Sequence, residues 1–213
     1  MARNNFVLCI IGASGTGKTV TAVGMAKDWK WSRRKIGGKV IAFDPHDDFK
    51  SVADVKIDAK DEDWAKILMQ KNRDGTFMFS NSLLILDDYR SILQGNHMDT
   101  GFYDLLALRR KIGIDVIYIT HNPKLILQGL AYWNTAFILF RTVAHSDDFE
   151  GKIPHFLTCQ RACNLINAYT RTFEEKDYNN LYPNFPYVFV RLDSEQLFPQ
   201  NMQQEIIDTL ELA

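Results

Sequence analysis

Five short, unbroken apolar runs punctuate the first two thirds of the chain. They are Asn5–Ile11 (NFVLCII), Lys39–Asp44 (KVIAFD), Leu83–Asp87 (LLILD), Ile114–Thr120 (IDVIYIT) and Thr135–Phe140 (TAFILF). Runs of this length, apolar at odd and even positions alike, read as strands buried on both faces, as in a parallel sheet. Between them lie segments with helical spacing. Lys18–Trp31 carries Val20, Val23, Met25, Ala26 and Trp29. Asp61–Lys71 turns Trp64, Ile67 and Leu68 inward. Thr100–Ile112 has Phe102, Leu105, Leu106 and Leu108 as its apolar stripe, and Pro123–Leu130 is a short helix with Pro near its first turn. Strand alternating with helix predicts an α/β fold, a central and mostly parallel sheet with helices on both faces. Beyond Arg141 the pattern is less regular: a helix over Pro154–Thr170, a strand over Pro186–Arg191 and a closing helix over Gln200–Leu212 are expected.

With 213 residues, 46% hydrophobic and 24% charged, the chain suits one domain with a full core, about 5–141, and an extension over 142–213 packed on it. No internal repeat or low-complexity linker interrupts it. A net charge of −1 excludes a monomer that coats nucleic acid; contact with DNA would run through local patches or a channel formed by an oligomer. No run approaches the roughly 18 apolar residues of a membrane span, and the start lacks a signal peptide, so a cytoplasmic protein is expected, in a host cytoplasm or at a virion vertex if viral. Cys9, Cys159 and Cys163 are too few and too widely spaced for a disulfide framework, and without further ligands they read as buried thiols rather than a zinc site.

The chemistry begins at the end of the first run. Gly12-Ala13-Ser14-Gly15-Thr16-Gly17-Lys18-Thr19 fits G-x-x-x-x-G-K-[ST] at every position. Small residues let the backbone curl until several N–H groups converge on one phosphate. The helix that follows adds its positive dipole end. Gly12 to Val20 are therefore the expected nucleotide contacts, with Lys18 reaching the β- and γ-phosphates and the Thr19 hydroxyl on Mg²⁺. The third run ends in Asp87-Asp88. An acid at a strand's carboxyl end points to where ligands bind in such sheets. Asp87 is expected to hold Mg²⁺ through its water shell and Asp88 to act as general base on a water. A second acid suits hydrolysis better than transfer to a small acceptor. Asp88 as a simple turn residue is the competing reading.

These motifs, in this order, resemble the HerA–FtsK superfamily of DNA-translocating ATPases, and within it the short genome-packaging ATPases of membrane-containing icosahedral viruses. Besides the phosphate loop and LLILDD, the resemblance rests on Asp44-Pro45-His46-Asp47-Asp48-Phe49 after the second strand. It rests also on the run from Arg109 to His121. The family pattern after strand two is D-P-x-G-D/E-F/Y; here Asp47 stands at the glycine. The resemblance implies a three-layer P-loop NTPase of the RecA-like (ASCE) kind, an arginine from Arg109 or Arg110, and a polar sensor after the fourth strand. Glutamine is usual at the sensor; His121 or Asn122 takes that place. The resemblance covers about Phe6 to Arg141. The arginine could serve a neighbouring subunit's γ-phosphate, an effect worth about 10³–10⁵ in rate, or could simply favour the helix C-terminus. The implied function is an ATP-hydrolysing DNA-translocation motor that packages a viral genome, with ATP and Mg²⁺ as cofactors. DNA, further copies of itself in a ring (a hexamer), and a capsid or portal-vertex protein would be its partners. The alternatives are a filamentous-phage-type virion assembly ATPase, a small-molecule kinase using Asp44, Asp47 and Asp48, and a nucleotide-gated scaffold. Lys27, Lys30, Arg33, Arg34, Lys35 and Lys39, interleaved with Trp29 and Trp31, either touch phosphate backbones or form a solvated loop.

Overall fold

The computed structural model describes residues 5–57, 64–88, 100–142, 146–151, 153, 155–173, 177–178 and 180–211. Eight strands form one sheet: β1 (Val7–Ile11), β2 (Lys39–Phe43), β3 (Val55–Ile57), β4 (Ser82–Leu86), β5 (Asp115–Thr120), β6 (Ala136–Leu139), β7 (Tyr187–Arg191) and β8 (Gln196–Gln200). Their order is β3-β2-β4-β5-β1-β6-β7-β8. The helices are α1 (Lys18–Arg33), α2 (Trp64–Leu68), α3 (Thr100–Ile112), α4 (Gln128–Ala131), α5 (Phe156–Thr170) and α6 (Gln204–Glu211). This is the α/β architecture, with a mostly parallel central sheet, that the alternation of runs predicts. The chain divides into two compact units, Met1–Val7 with Thr21–Ile119, and Leu8–Val20 with Thr120–Ala213.

In the first unit β2 pairs in parallel with β3 and with β4, and β4 with β5. The strand interiors Val40–Phe43 and Leu83–Leu86 are almost wholly buried, which accounts for their unbroken apolar runs. On α1 it is Ala22, Ala26 and Trp29 that are buried, while Val20, Val23 and Met25 are half-buried. α3 buries Phe102, Leu105, Leu106, Arg109 and Ile112, and Leu108 is partly exposed instead of lying in the stripe. The helix expected over Asp61–Lys71 is short, Trp64–Leu68, with Ile67 turned outward; 61–63 lie outside the described residues. Lys71 belongs instead to a bridge with Phe77.

One buried carboxylate ties the start of the chain to this unit. Asp115, at the head of β5, is 1% exposed and accepts from Trp29 Nε1 (2.7 Å), Asn5 Nδ2 (3.1 Å) and the Phe6 amide (3.1 Å). Trp29 is the last buried residue of α1, so the same carboxylate also anchors that helix.

In the second unit β1 pairs in parallel with β6, and β6 continues into an antiparallel pair with β7, itself antiparallel to β8. The C-terminal region is more regular than its sequence suggests. α5 runs 15 residues with Cys159 and Cys163 on its buried face, and burial pushes their thiols up to about 12 and about 11. They are neutral packing groups. The expected helix over Gln200–Leu212 starts only at Gln204, because Gln196–Gln200 pairs along β7. β8 alternates exposed and half-buried positions and carries Pro199, as an edge strand can. The Pro123–Leu130 helix breaks into a 3₁₀ turn, Pro123–Leu125, and α4.

Replacing Asp115 with Ala removes the acceptor that three donors share. Chemical denaturation should show a loss of about 2–3 kcal/mol. A loss under about 0.5 kcal/mol would mean the carboxylate is not a structural anchor.

Candidate nucleotide-binding and catalytic residues

The phosphate loop lies in the second unit, between β1 and α1. Gly12 leaves β1 with its amide on the Thr120 carbonyl (3.3 Å), and the Ala13 amide bonds the Arg141 carbonyl (2.8 Å). A Cβ on Gly12 would lie 2.6 Å from Phe140 Cβ and 2.7 Å from Thr16 Oγ1, so only glycine fits there. Gly17 combines φ 92° with a Cβ position only 2.3 Å from Phe185 Cδ2. The turn is closed from inside by Thr16 Oγ1, which donates to the Ala13 carbonyl (2.8 Å) and is fully buried.

Lys18 opens α1 and is 6% exposed. Its ammonium donates to the Ala13 carbonyl (2.7 Å) and sits 3.4 Å from His121 Nδ1. Burying an ammonium is costly unless an anion or several acceptors offset it. Ser14 and Gly15 are exposed, and Thr19 and Val20 are half-buried. The two sensor candidates separate. His121 lies beside Lys18, while Asn122 caps the following 3₁₀ turn, its Oδ1 accepting from the Lys124 amide (2.8 Å).

The acids belong to the first unit. β2 and β4 are in register up to Phe43 and Leu86, and the Asp87 amide donates to the Phe43 carbonyl (3.0 Å), so the chain leaves both strands at one level. Asp44, Asp48 and Asp87 gather there with one carboxylate oxygen of each within 4.8 Å of the others. Asp44 is 2% exposed and accepts from the Asp48 amide (2.9 Å) and the Phe49 amide (2.8 Å), which folds the D-P-H-D-D-F turn. Asp47, at the glycine of the family pattern, adopts φ 60°. The backbone therefore keeps the left-handed conformation, which aspartate tolerates better than most residues. Its carboxylate pairs with Lys56, which holds it below the usual range. Asp88 has φ 45°, a left-handed turn directly after the strand.

Burial, then the neighbouring Asp48 and Asp44, push the Asp87 carboxyl up from 3.8 to about 6. Three acids this close repel one another unless a proton or a cation intervenes. Sequence reasoning singled out Asp87 and missed Asp44 and Asp48 as its companions. The signal was the acid-rich turn after strand two, two of whose three acids meet Asp87 only because β2 and β4 are neighbours.

The two arginines at the end of α3 differ sharply. Arg109 is 4% exposed and donates to the Leu106 carbonyl (2.8 Å), with burial and then Arg110 lowering its pKa; Arg110 is exposed. Arg109 falls on the buried stripe, seven residues after Phe102.

The sequence matches no protein-family model and no curated protein. Solved structures do match in fold. The genome-packaging NTPase B204 of Sulfolobus turreted icosahedral virus 2, in complex with AMPPCP, aligns with TM-score 0.64 at 13% identity. The alignment covers 92% of this chain and 97% of that one. The DNA-packaging ATPase B204 of Sulfolobus turreted icosahedral virus gives 0.58 at 13% identity, covering 94% and 98%. The N-terminal domain of zonular occludens toxin from Neisseria meningitidis gives 0.52 at 15% identity, covering 97% and 98%.

The raised Asp87 pKa has a defined consequence. Without a cation the fold favours the protonated acid, so this group makes the protein less stable as pH rises through about 6 and more stable on acidification from 6 toward 4. A divalent cation needs the carboxylate, so stabilisation by Mg²⁺ should be present above pH 6 and fade below it. Thermal melts from pH 5 to 8, with and without Mg²⁺, should show both trends. Asp87→Asn should flatten both, and an unchanged Mg²⁺ response in that variant would contradict the assignment.

In fold as in the order of its motifs, the chain resembles the genome-packaging ATPases of icosahedral viruses.

Proposed function

We propose that this chain is an ATP-hydrolysing DNA-translocation motor of the viral genome-packaging kind. The observation that carries the reading is the buried ammonium of Lys18 at the mouth of a closed glycine loop, ahead of a helix N-terminus. A triphosphate would bring anionic oxygens to this ammonium and to the helix N-terminus. Gly12 to Val20 cradle its phosphates, and Lys18 leaves the Ala13 carbonyl for the β- and γ-oxygens.

The acid cluster suits a hard cation with oxygen ligands and retained waters, as Mg²⁺ is. Asp87 and Asp48 would hold it, Thr19 would offer its hydroxyl, and the cation would supply positive charge to offset that of a phosphate. Asp44, spent on two backbone amides, positions Asp48. Asp88 takes a proton from the attacking water, and His121 follows the γ-phosphate through Lys18.

Arg110, exposed at the end of α3, is the arginine suited to reach a neighbouring subunit's γ-phosphate in a ring, with a hexamer expected. Arg109 packs inside its own subunit and holds the helix end in place. The end of α1 offers DNA a basic surface with an exposed aromatic. Lys27, Arg34, Lys35 and Lys39 are exposed, and the Arg34 guanidinium lies 3.6 Å over the ring of Trp31, itself 68% exposed. Among the described residues no helix is long and apolar enough to cross a membrane. A capsid or portal-vertex protein is the docking partner of this reading.

Lys18→Ala should lower ATP turnover by about 10²–10³-fold, the scale for removing one transition-state donor, while leaving the melting temperature within a few degrees. Retained turnover would refute the phosphate-loop assignment, and turnover that requires a small metabolite would point to a kinase. Arg110→Ala should abolish turnover in a homogeneous ring and recover part of it when mixed with Asp88→Asn subunits. Arg109→Ala should instead destabilise the fold. Recovery with Arg109→Ala and none with Arg110→Ala would reverse the assignment.

A further inference from the structure

The phosphate loop is backed by an aromatic cluster that the motifs do not include. Phe185 lies directly against Gly17, close enough that no Cβ fits between them. Tyr178, fully buried, packs on Phe185 with ring centres 5.5 Å apart, and the Arg141 guanidinium lies 4.3 Å over the Tyr178 ring. Arg141 is also the residue whose carbonyl holds the Ala13 amide. The segment is itself fixed by turns. The Leu181 amide bonds the Tyr178 carbonyl (3.1 Å), the Asn184 amide bonds the Leu181 carbonyl (2.6 Å), and Asn201 Nδ2 donates to the Phe185 carbonyl (3.1 Å).

One member of the cluster faces water. Tyr182 meets Phe185 edge to face at 6.1 Å and 76°, yet is 65% exposed. A large ring held on a rigid support and left uncovered loses little side-chain entropy on binding, since its position is already set. A nucleoside triphosphate gripped by its phosphates must place its base outside the loop, where a flat aromatic surface can receive it.

We propose that Tyr182, supported by Phe185, is the base-stacking platform of the nucleotide site, taking the purine of a bound nucleoside triphosphate on its exposed ring. Phe185 links the platform to the loop, so the base and the phosphates are registered through Gly17. Stacking through a ring face tolerates adenine and guanine alike, and favours purines over the smaller pyrimidines. This inference rests on the loop being a triphosphate site.

Calorimetry with two ligands separates the two ideas: ATP, which has a base, and inorganic tripolyphosphate, which has none. Wild type should bind both. Tyr182→Ala should weaken ATP about tenfold, the scale of one base–aromatic stack, and leave tripolyphosphate unchanged; Tyr182→Phe should keep wild-type affinity for both. Unchanged ATP affinity in Tyr182→Ala overturns the platform and leaves the phosphate loop intact. Equal losses for both ligands overturn it too, by making Tyr182 a structural support. Wild type that binds neither ligand sinks the phosphate-loop reading and the platform with it.

Discussion

Charge held out of water is the constraint on which this structure turns. In one unit the Lys18 ammonium is 6% exposed; in the other, Asp44 and Asp87 are 2% and 7% exposed beside Asp48. A folded chain tolerates such groups only when hydrogen bonds or counter-ions offset the lost hydration. Lys18 donates to the Ala13 carbonyl, and the Asp48 and Phe49 amides donate to Asp44, which offsets part of that loss. In the proposed function a magnesium triphosphate brings anionic oxygens to the lysine and a cation to the acids.

Asp115 is a contrasting case. It too is a buried carboxylate, but its acceptor capacity is met by three donors, and it sits at the opposite end of its strand from Thr120. Asp115 is surrounded by hydrogen-bond donors, whereas Asp87 lies among other acids. The distinction separates Asp115 from Asp87 even though both end or begin an apolar run.

Much of this was legible in the sequence because the physics is local. Continuous apolar runs identified β1, β2, β4, β5 and β6, since strands buried on both faces need apolar residues throughout. The glycine loop was legible because Gly12 and Gly17 stand where no side chain fits. What escaped depends on neighbours distant in the chain. β3 is three residues long, and β8 alternates weakly because its outer side faces solvent. Asp48 joins Asp87 only through the β2–β4 pairing. The difference between Arg109 and Arg110 was present in the helical period running from Phe102, but the expected stripe was extended through Leu108 instead. Phe185 and Tyr182 come from the far C-terminal region, where no motif announces them.

The proposed function requires that the glycine loop bind a nucleotide and that the acid cluster bind its Mg²⁺. Mn²⁺, a paramagnetic substitute for Mg²⁺, measures this by electron paramagnetic resonance titration with and without AMPPCP. The analogue should tighten Mn²⁺ binding in the wild type, and either Lys18→Ala or Asp87→Asn should remove the gain, because two sites on one ligand are energetically linked. Mn²⁺ affinity that is indifferent to the analogue, with both ligands bound, would contradict it.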